Sequence, residues 1–145
     1  MSENKKEKLL GIDFGDARTG LALSEPTGLL AVGAGCIKSG NLRKTAEQAA
    51  EFAKAQAVTK IIVGNPLNMN GSAGPRTERC KAFAELLGEL TGLEVELFDE
   101  RLTTVAAHGF LSATGVSGKK RKDSVDELSA TLILQDYLDR RKNRK

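Results

Sequence analysis

The stretch "LLGIDFGDARTGLALS", residues 9–24, limits the fold more than any other part of the chain. Two apolar runs, 8–14 and 19–24, are separated by a few residues rich in glycine and aspartate. So short a gap admits a turn but no helix, and the runs read as neighbouring antiparallel strands. Residues 29–38 supply a third strand. The first run also holds an anomaly. Asp13 lies among Leu9, Leu10, Ile12 and Phe14, and a carboxylate in apolar surroundings is costly unless something compensates.

After residue 40 the pattern changes. Leu42, Ala46, Ala49, Ala53 and Ala57 fall on one face of a helix expected over 42–57. "KIIVG" (60–64) reads as a short buried strand entering the polar loop "NPLNMNGSAG" (65–74). Pro75 suits the first turn of a second helix, whose inner face carries Cys80, Phe83, Leu87 and Leu90. Leu93, Val95 and Leu97 alternate in a fifth strand that runs into "DERLTT". A helix over 103–112, the loop "TGVSGKKRK" (114–122) and a final helix over 124–139 complete the series. The order βββαβαβαα implies an α/β fold: a five-stranded mixed sheet, three strands antiparallel and two parallel, with helices on both faces. The expected organisation is one domain over 8–139, a flexible segment 1–7 and a basic tail 140–145.

Composition removes several classes. With 145 residues, 40% hydrophobic and 28% charged, the chain has the make-up of a globular domain. No apolar run approaches a membrane span and "MSENKKEK" is no signal peptide, so a cytoplasmic location is expected. Cys36 and Cys80 form no CxxC and read as packing residues. The net charge of +3 is too small to argue nucleic-acid binding, but its distribution is uneven. "KKRK" (119–122) and "RRKNRK" (140–145) are basic clusters, and such clusters beside a cleft attract phosphate backbones.

In open α/β sheets, ligand sites gather at the carboxyl ends of the parallel strands. Asp13 lies in the first strand and Glu100 just past the fifth. Asp126 heads a helical stripe of Ser129, Ala130, Ile133 and Tyr137 that is expected to pack on the sheet. Three acids from distant segments can therefore converge, and a divalent cation is the usual remedy for their repulsion. Each also has a plainer role available. Asp13 can begin a turn, Asp99 and Glu100 can complement a helix N-terminus, and Asp126 can belong to a "DSVD" capping box led by Asp123.

"GIDFGDARTGLALS", "VGNPLNMNGSAGP", "DERLTT" and "VDELSATLILQDYL" together resemble the motif blocks of the YqgF family, Holliday-junction-resolvase-like proteins associated with nuclease processing at the 5′ end of pre-16S ribosomal RNA. The resemblance runs from about residue 9 to residue 139. It implies a ribonuclease H-like fold and a Mg²⁺-dependent phosphodiesterase, with Asp13, Glu100 and Asp126 at the three acidic motif positions as catalytic and metal-binding residues. Glu25 stands where aspartate is expected and Asn65 where leucine is more usual. Neither is an acidic motif position.

The chemistry agrees with that implication. Phosphodiester hydrolysis needs an activated water and a stabilised leaving oxygen, and two metals about 3.5–4 Å apart supply both. Mg²⁺ takes oxygen ligands, so carboxylates suffice; Mn²⁺ is the alternative. His108 then has no assigned role. Arg18 is a candidate phosphate contact, with pairing to Asp16 as the competing role. Asn68, Asn70 and Arg76, around a glycine-rich loop, are candidate substrate contacts. Lys119, Lys120, Arg121 and Lys122 cannot share one helical face and are expected to form a flexible arm overhanging the acids. The expected partner is nucleic acid, pre-ribosomal RNA first, bound by the chain as a monomer or weak homodimer with no membrane involved. A resolvase acting on branched DNA and an RNA-binding factor without turnover are the alternatives. An actin-like phosphotransferase would need a second domain.

Overall fold

The computed structural model describes the backbone of residues 7–65, 74–99 and 118–143, and their side chains except those of 118–124 and 142–143. Five strands form one sheet: β1 (Leu9–Asp13), β2 (Arg18–Ser24), β3 (Ala31–Lys38), β4 (Lys60–Asn65) and β5 (Val95–Asp99), in the spatial order β3-β2-β1-β4-β5. The short turn forces β1 and β2 antiparallel, and β3 continues the meander. β4 and β5 run parallel to β1, each reached through a longer connection. The mixed sheet expected from the order of elements is present. β1, in the middle, is paired on both sides.

The sheet's two faces bury different cores. Leu10 and Ile12 of β1, Phe14 just beyond it, Leu21 of β2, and Ile61 and Val63 of β4 face α1 (Leu42–Ala55) and α2 (Pro75–Thr91). Leu9, Ala22 and Ile62 face α3 (Gly118–Asn143). The period of two along each strand thus divides one apolar run between two helical layers. α1 begins where Asn41 Oδ1 accepts the Lys44 N–H at 2.8 Å, and it buries Ala46, Ala49, Ala50 and Ala53. Its last expected face residue, Ala57, is instead exposed beyond the helix, in the left-handed region at φ 58°. On α2, Phe83 stacks on Phe14 with ring centroids 4.3 Å apart.

α3 departs most from expectation. It starts at Gly118 rather than 124 and continues to Asn143. Lys119–Lys122 are therefore helical and do not form a loop arm. Four consecutive residues step through about 300° of helix, so a helix can hold four cations without crowding them on one face. Lysine and arginine are also good helix formers. Asp123 lies inside the helix, so it does not lead a capping box for it. The helix expected over 103–112 lies outside the described residues.

α3 rests on the sheet along a row of glycines. A Cβ on Gly11 of β1 would come within 2.7 Å of Leu134 Cβ, and one on Gly33 of β3 within 2.8 Å of the Glu127 side chain. On Gly20 of β2 it would overlap the backbone carbonyl of Asp126. The helix also closes part of the β3 edge. Gln135 accepts the Ala31 N–H and donates to the Leu29 carbonyl, both at 2.9 Å, and Glu127 Oε2 accepts the Gly35 N–H at 2.8 Å.

Candidate active site

Asp13 is the last residue of β1 and lies opposite Gly20 of β2. Directly opposed residues of an antiparallel pair project to one face with Cβ atoms about 4.5–5.5 Å apart. The face that Asp13 shares with Gly20 is the one α3 covers, and the Asp126 backbone fills the space a Gly20 side chain would take. The Asp126 backbone therefore packs on the residue directly opposite Asp13, and both aspartates are half-buried. Of the three predicted acids, these two belong to the same end and the same face of the sheet. Glu100, the residue after β5, lies outside the described residues. β5 itself runs parallel to β1 and ends at Asp99, paired with Asn65 of β4, so it finishes at the same end of the sheet.

The remaining predicted residues divide in the same way. Arg18 opens β2, half-buried, two residues before Gly20, the cross-strand partner of Asp13. Arg76 is exposed in the first turn of α2 rather than in the preceding loop, because Pro75 starts the helix. Asn68, Asn70 and His108 lie outside the described residues. Lys119–Lys122 precede Asp126 by one to two turns of α3. Among the described residues no three carboxylate, histidine or cysteine side chains form a metal-binding group, and the third expected acid lies outside that set. Cys80 is buried in the core and Cys36 half-buried, as packing residues should be.

Some contributors were not singled out from the sequence. Gly20 carries no chemistry, yet its missing side chain is what lets Asp126 approach. Glu127, next to Asp126, turns to the backbone of β3. Arg79 of α2 reaches the β1–β2 turn, 3.4 Å from Asp16 and with its guanidinium 5.7 Å from the centre of the Phe14 ring. Asn65 ends β4 with its Oδ1 buried and, among the described residues, unpartnered. The alternative pairing considered for Asp16 thus has a different arginine in it.

The opposite end of the sheet is different in character. Lys60 Nζ donates to Tyr137 Oη at 3.0 Å and lies 2.9 Å from Glu96 Oε1, while Tyr137 donates to Glu96 at 3.1 Å. Burial works against the charge on Lys60, but its bonds to Tyr137 and Glu96 outweigh that and hold its pKa above the ordinary lysine value. Nearby, a cleft of about 450 Å³ lies between the β2–β3 connection and the end of α1, walled by Leu23, Pro26, Val32 and Ala57. It contains none of the acids and lies at the end of β1 away from Asp13.

A mixed sheet in this order with helices on both faces defines a ribonuclease H-like fold. The RuvC of T. thermophilus bound to a Holliday junction substrate has the same fold (TM-score 0.59, 13% identity, 94% of this chain and 96% of that one). So does the fowlpox virus resolvase bound to Holliday junction DNA (TM-score 0.55, 11% identity, 92% and 97%). The chain belongs to the RuvX family, described as Holliday junction resolvase, whose model matches residues 7–140. Relatives that carry the name "Putative pre-16S rRNA nuclease" include one from Ruminiclostridium cellulolyticum, 46% identical over 134 residues (92% of this chain, 94% of that one). Another, from Bacillus cytotoxicus, is also 46% identical over 134 residues (91% and 98%).

Proposed function

We propose that this chain is a metal-dependent nuclease that hydrolyses phosphodiester bonds in pre-ribosomal RNA, at the 5′ end of the 16S precursor. The observation that carries the reading is the packing of the Asp126 backbone on Gly20, the residue opposite Asp13, at the carboxyl end of the central strand. Carboxylates that converge there repel each other unless a cation lies between them. Oxygen donors alone, with no histidine or cysteine required, suit Mg²⁺ and also Mn²⁺. Asp13 and Asp126, with Glu100, would hold it. Bound there, the metal supplies an activated water and stabilises the leaving oxygen.

The protein's own part is to bind and orient the backbone. Arg18 lies one turn from Asp13 and presents a planar fork suited to a phosphate. Arg76 at the start of α2 and the cations of 119–122 in the first turns of α3 are the further candidates for phosphate contacts. Asn68 and Asn70 are the candidates for contacts to the nucleotide. One copy carries all three acids, so a monomer can cut a single strand. No helix among the described residues is long and apolar enough to cross a membrane, and a protein acting on pre-ribosomal RNA works in the cytoplasm.

The test is cleavage of pre-ribosomal RNA, single-stranded RNA and four-way DNA junctions, with Mg²⁺, with Mn²⁺ and with chelator. Asp13→Asn, Glu100→Gln and Asp126→Asn should each lose cleavage and remain folded. Mg²⁺ or Mn²⁺ should raise the melting temperature of the wild type, by mass action on the native state, and fail to do so in the Asp13 variant. Full cleavage by Asp13→Asn would end the proposal. Preference for the junction over RNA would transfer the activity to the alternative substrate.

A further inference from the structure

The fold joins Arg79 to the turn that follows Asp13. Phe14 is buried at the carboxyl end of β1, stacked on Phe83, and Arg79 lies over its ring. The Arg79 Nε is 3.4 Å from Asp16 Oδ1. That distance is longer than in the other arginine pairs of the described residues: Arg43–Glu47 at 3.1 Å, Arg140–Asp136 at 3.2 Å and Arg141–Glu7 at 2.9 Å. Those three are also hydrogen-bonded, whereas Arg79 and Asp16 make an ion pair only. The pair is open to solvent, with the Arg79 side chain 46% exposed and that of Asp16 73%. An exposed ion pair of this kind contributes little to stability.

The turn itself does not depend on the pair. Ser39 N–H donates to the Ala17 carbonyl at 3.1 Å, and the Gly15 N–H is 3.4 Å from Thr19 Oγ1. Gly15 has no room for a side chain against the Arg18 carbonyl. Phe14 fixes the position of the Arg79 guanidinium from beneath, and Arg76 lies one helical turn earlier, where residues three apart are neighbours on the surface.

We propose that Arg79 is a substrate-binding residue, held by Asp16 in the free protein and transferred to a backbone phosphate of the bound strand. The phosphate is one flanking the cleaved bond, because Phe14 and Arg79 lie on the α2 side of β1 while Asp13 faces α3. A phosphate offers the guanidinium a bidentate partner that the loose contact with Asp16 does not. Asp16 then acts as a competitor that keeps the arginine in place and disfavours weak, non-cognate strands. The inference rests on the reading of the chain as a nuclease, but its test does not require cleavage.

A fluorescent single-stranded RNA, titrated by anisotropy in chelator across a salt series, separates the possibilities. Arg79→Gln should weaken binding and reduce the slope of log affinity against log salt by about 0.7, the loss of one phosphate contact on a single strand. Asp16→Asn should strengthen binding several-fold. Removing any acid near a phosphate path raises affinity somewhat, so the double variant decides. If Asp16 acts by holding Arg79, the gain from Asp16→Asn disappears in the Arg79→Gln background. An equal gain in both backgrounds, or an unchanged slope in Arg79→Gln, overturns the transfer. Melting curves of each variant check that the turn has kept its fold. Absence of RNA binding by the wild type would overturn the nuclease reading and this inference together, whereas wild-type binding with additive variants overturns this inference alone.

Discussion

Asn65 closes β4 with a side-chain amide oxygen that is buried and, among the described residues, has no hydrogen-bond partner. Leaving such a group unpaired costs about 1–3 kcal/mol, whereas an apolar residue in the same place has nothing to satisfy. Asn65→Leu should therefore raise the stability to urea by about 1–2 kcal/mol, and an unchanged or lower value would mean that the oxygen is satisfied in solution. The sequence marked this position only as a departure from the more usual leucine. It could not show that the oxygen would be enclosed. Ala57 is the reverse case. Periodicity puts it on the inner face of α1, but the helix ends at Ala55 and the chain turns through a left-handed residue to reach β4. A spacing rule has no term for the point where a helix stops.

At the scale of elements, the seat of α3 on the sheet decides whether the acids meet. The glycines beneath it are not equivalent. A side chain on Gly20 would meet the backbone of Asp126, which cannot move without lifting the helix, while one on Gly33 would meet the flexible side chain of Glu127. Gly20→Ala should cost about 1–3 kcal/mol, the usual range for overpacking, and Gly33→Ala less. Urea unfolding gives the order directly, and equal losses would mean that the helix shifts freely. Gly20→Ala should also weaken the proposed metal-dependent rise in melting temperature, since it displaces Asp126, one of the proposed metal ligands. Strands and helices were legible here from alternation and spacing. The first turns of α3 were not, because four consecutive cations read as a solvated arm when their spread around a helix is left out of account.

Across the whole molecule, the two ends of the sheet do different work. The carboxyl end of β1 carries Asp13 and receives the Asp126 backbone, and it is the end proposed to take a cation. The other end is tied by Lys60, which links β4 to Glu96 of β5 and to Tyr137 of α3. Its folded pKa lies above the ordinary value of 10.5, so the folded state binds that proton more tightly than the unfolded chain does. The stabilisation is then complete at neutral pH and is lost as the pH climbs above 10.5 towards the folded value. Lys60→Met should lower stability by about 1–2 kcal/mol at pH 7, in keeping with hydrogen bonds to a charged group. The gap to wild type should narrow in urea titrations above pH 10.5. A gap independent of pH would show that the lysine acts by packing its stem alone.

The sequence by itself determined the order of the strands in the chain, the antiparallel start, the parallel return and the identity of the acids worth testing. These follow from local quantities: the length of a gap, the period of an apolar pattern, and the cost of a carboxylate in an apolar run. The tertiary structure alone decided that Asp126 would lie against Gly20 opposite Asp13, that Glu127 would turn to the edge of β3, and that Arg79 would reach Asp16. Each depends on which surfaces of distant segments come into contact, and neighbouring residues in the chain carry no record of that. Glycine makes the point most plainly. Its function at position 20 is to leave a space, and what fills the space belongs to a helix a hundred residues away.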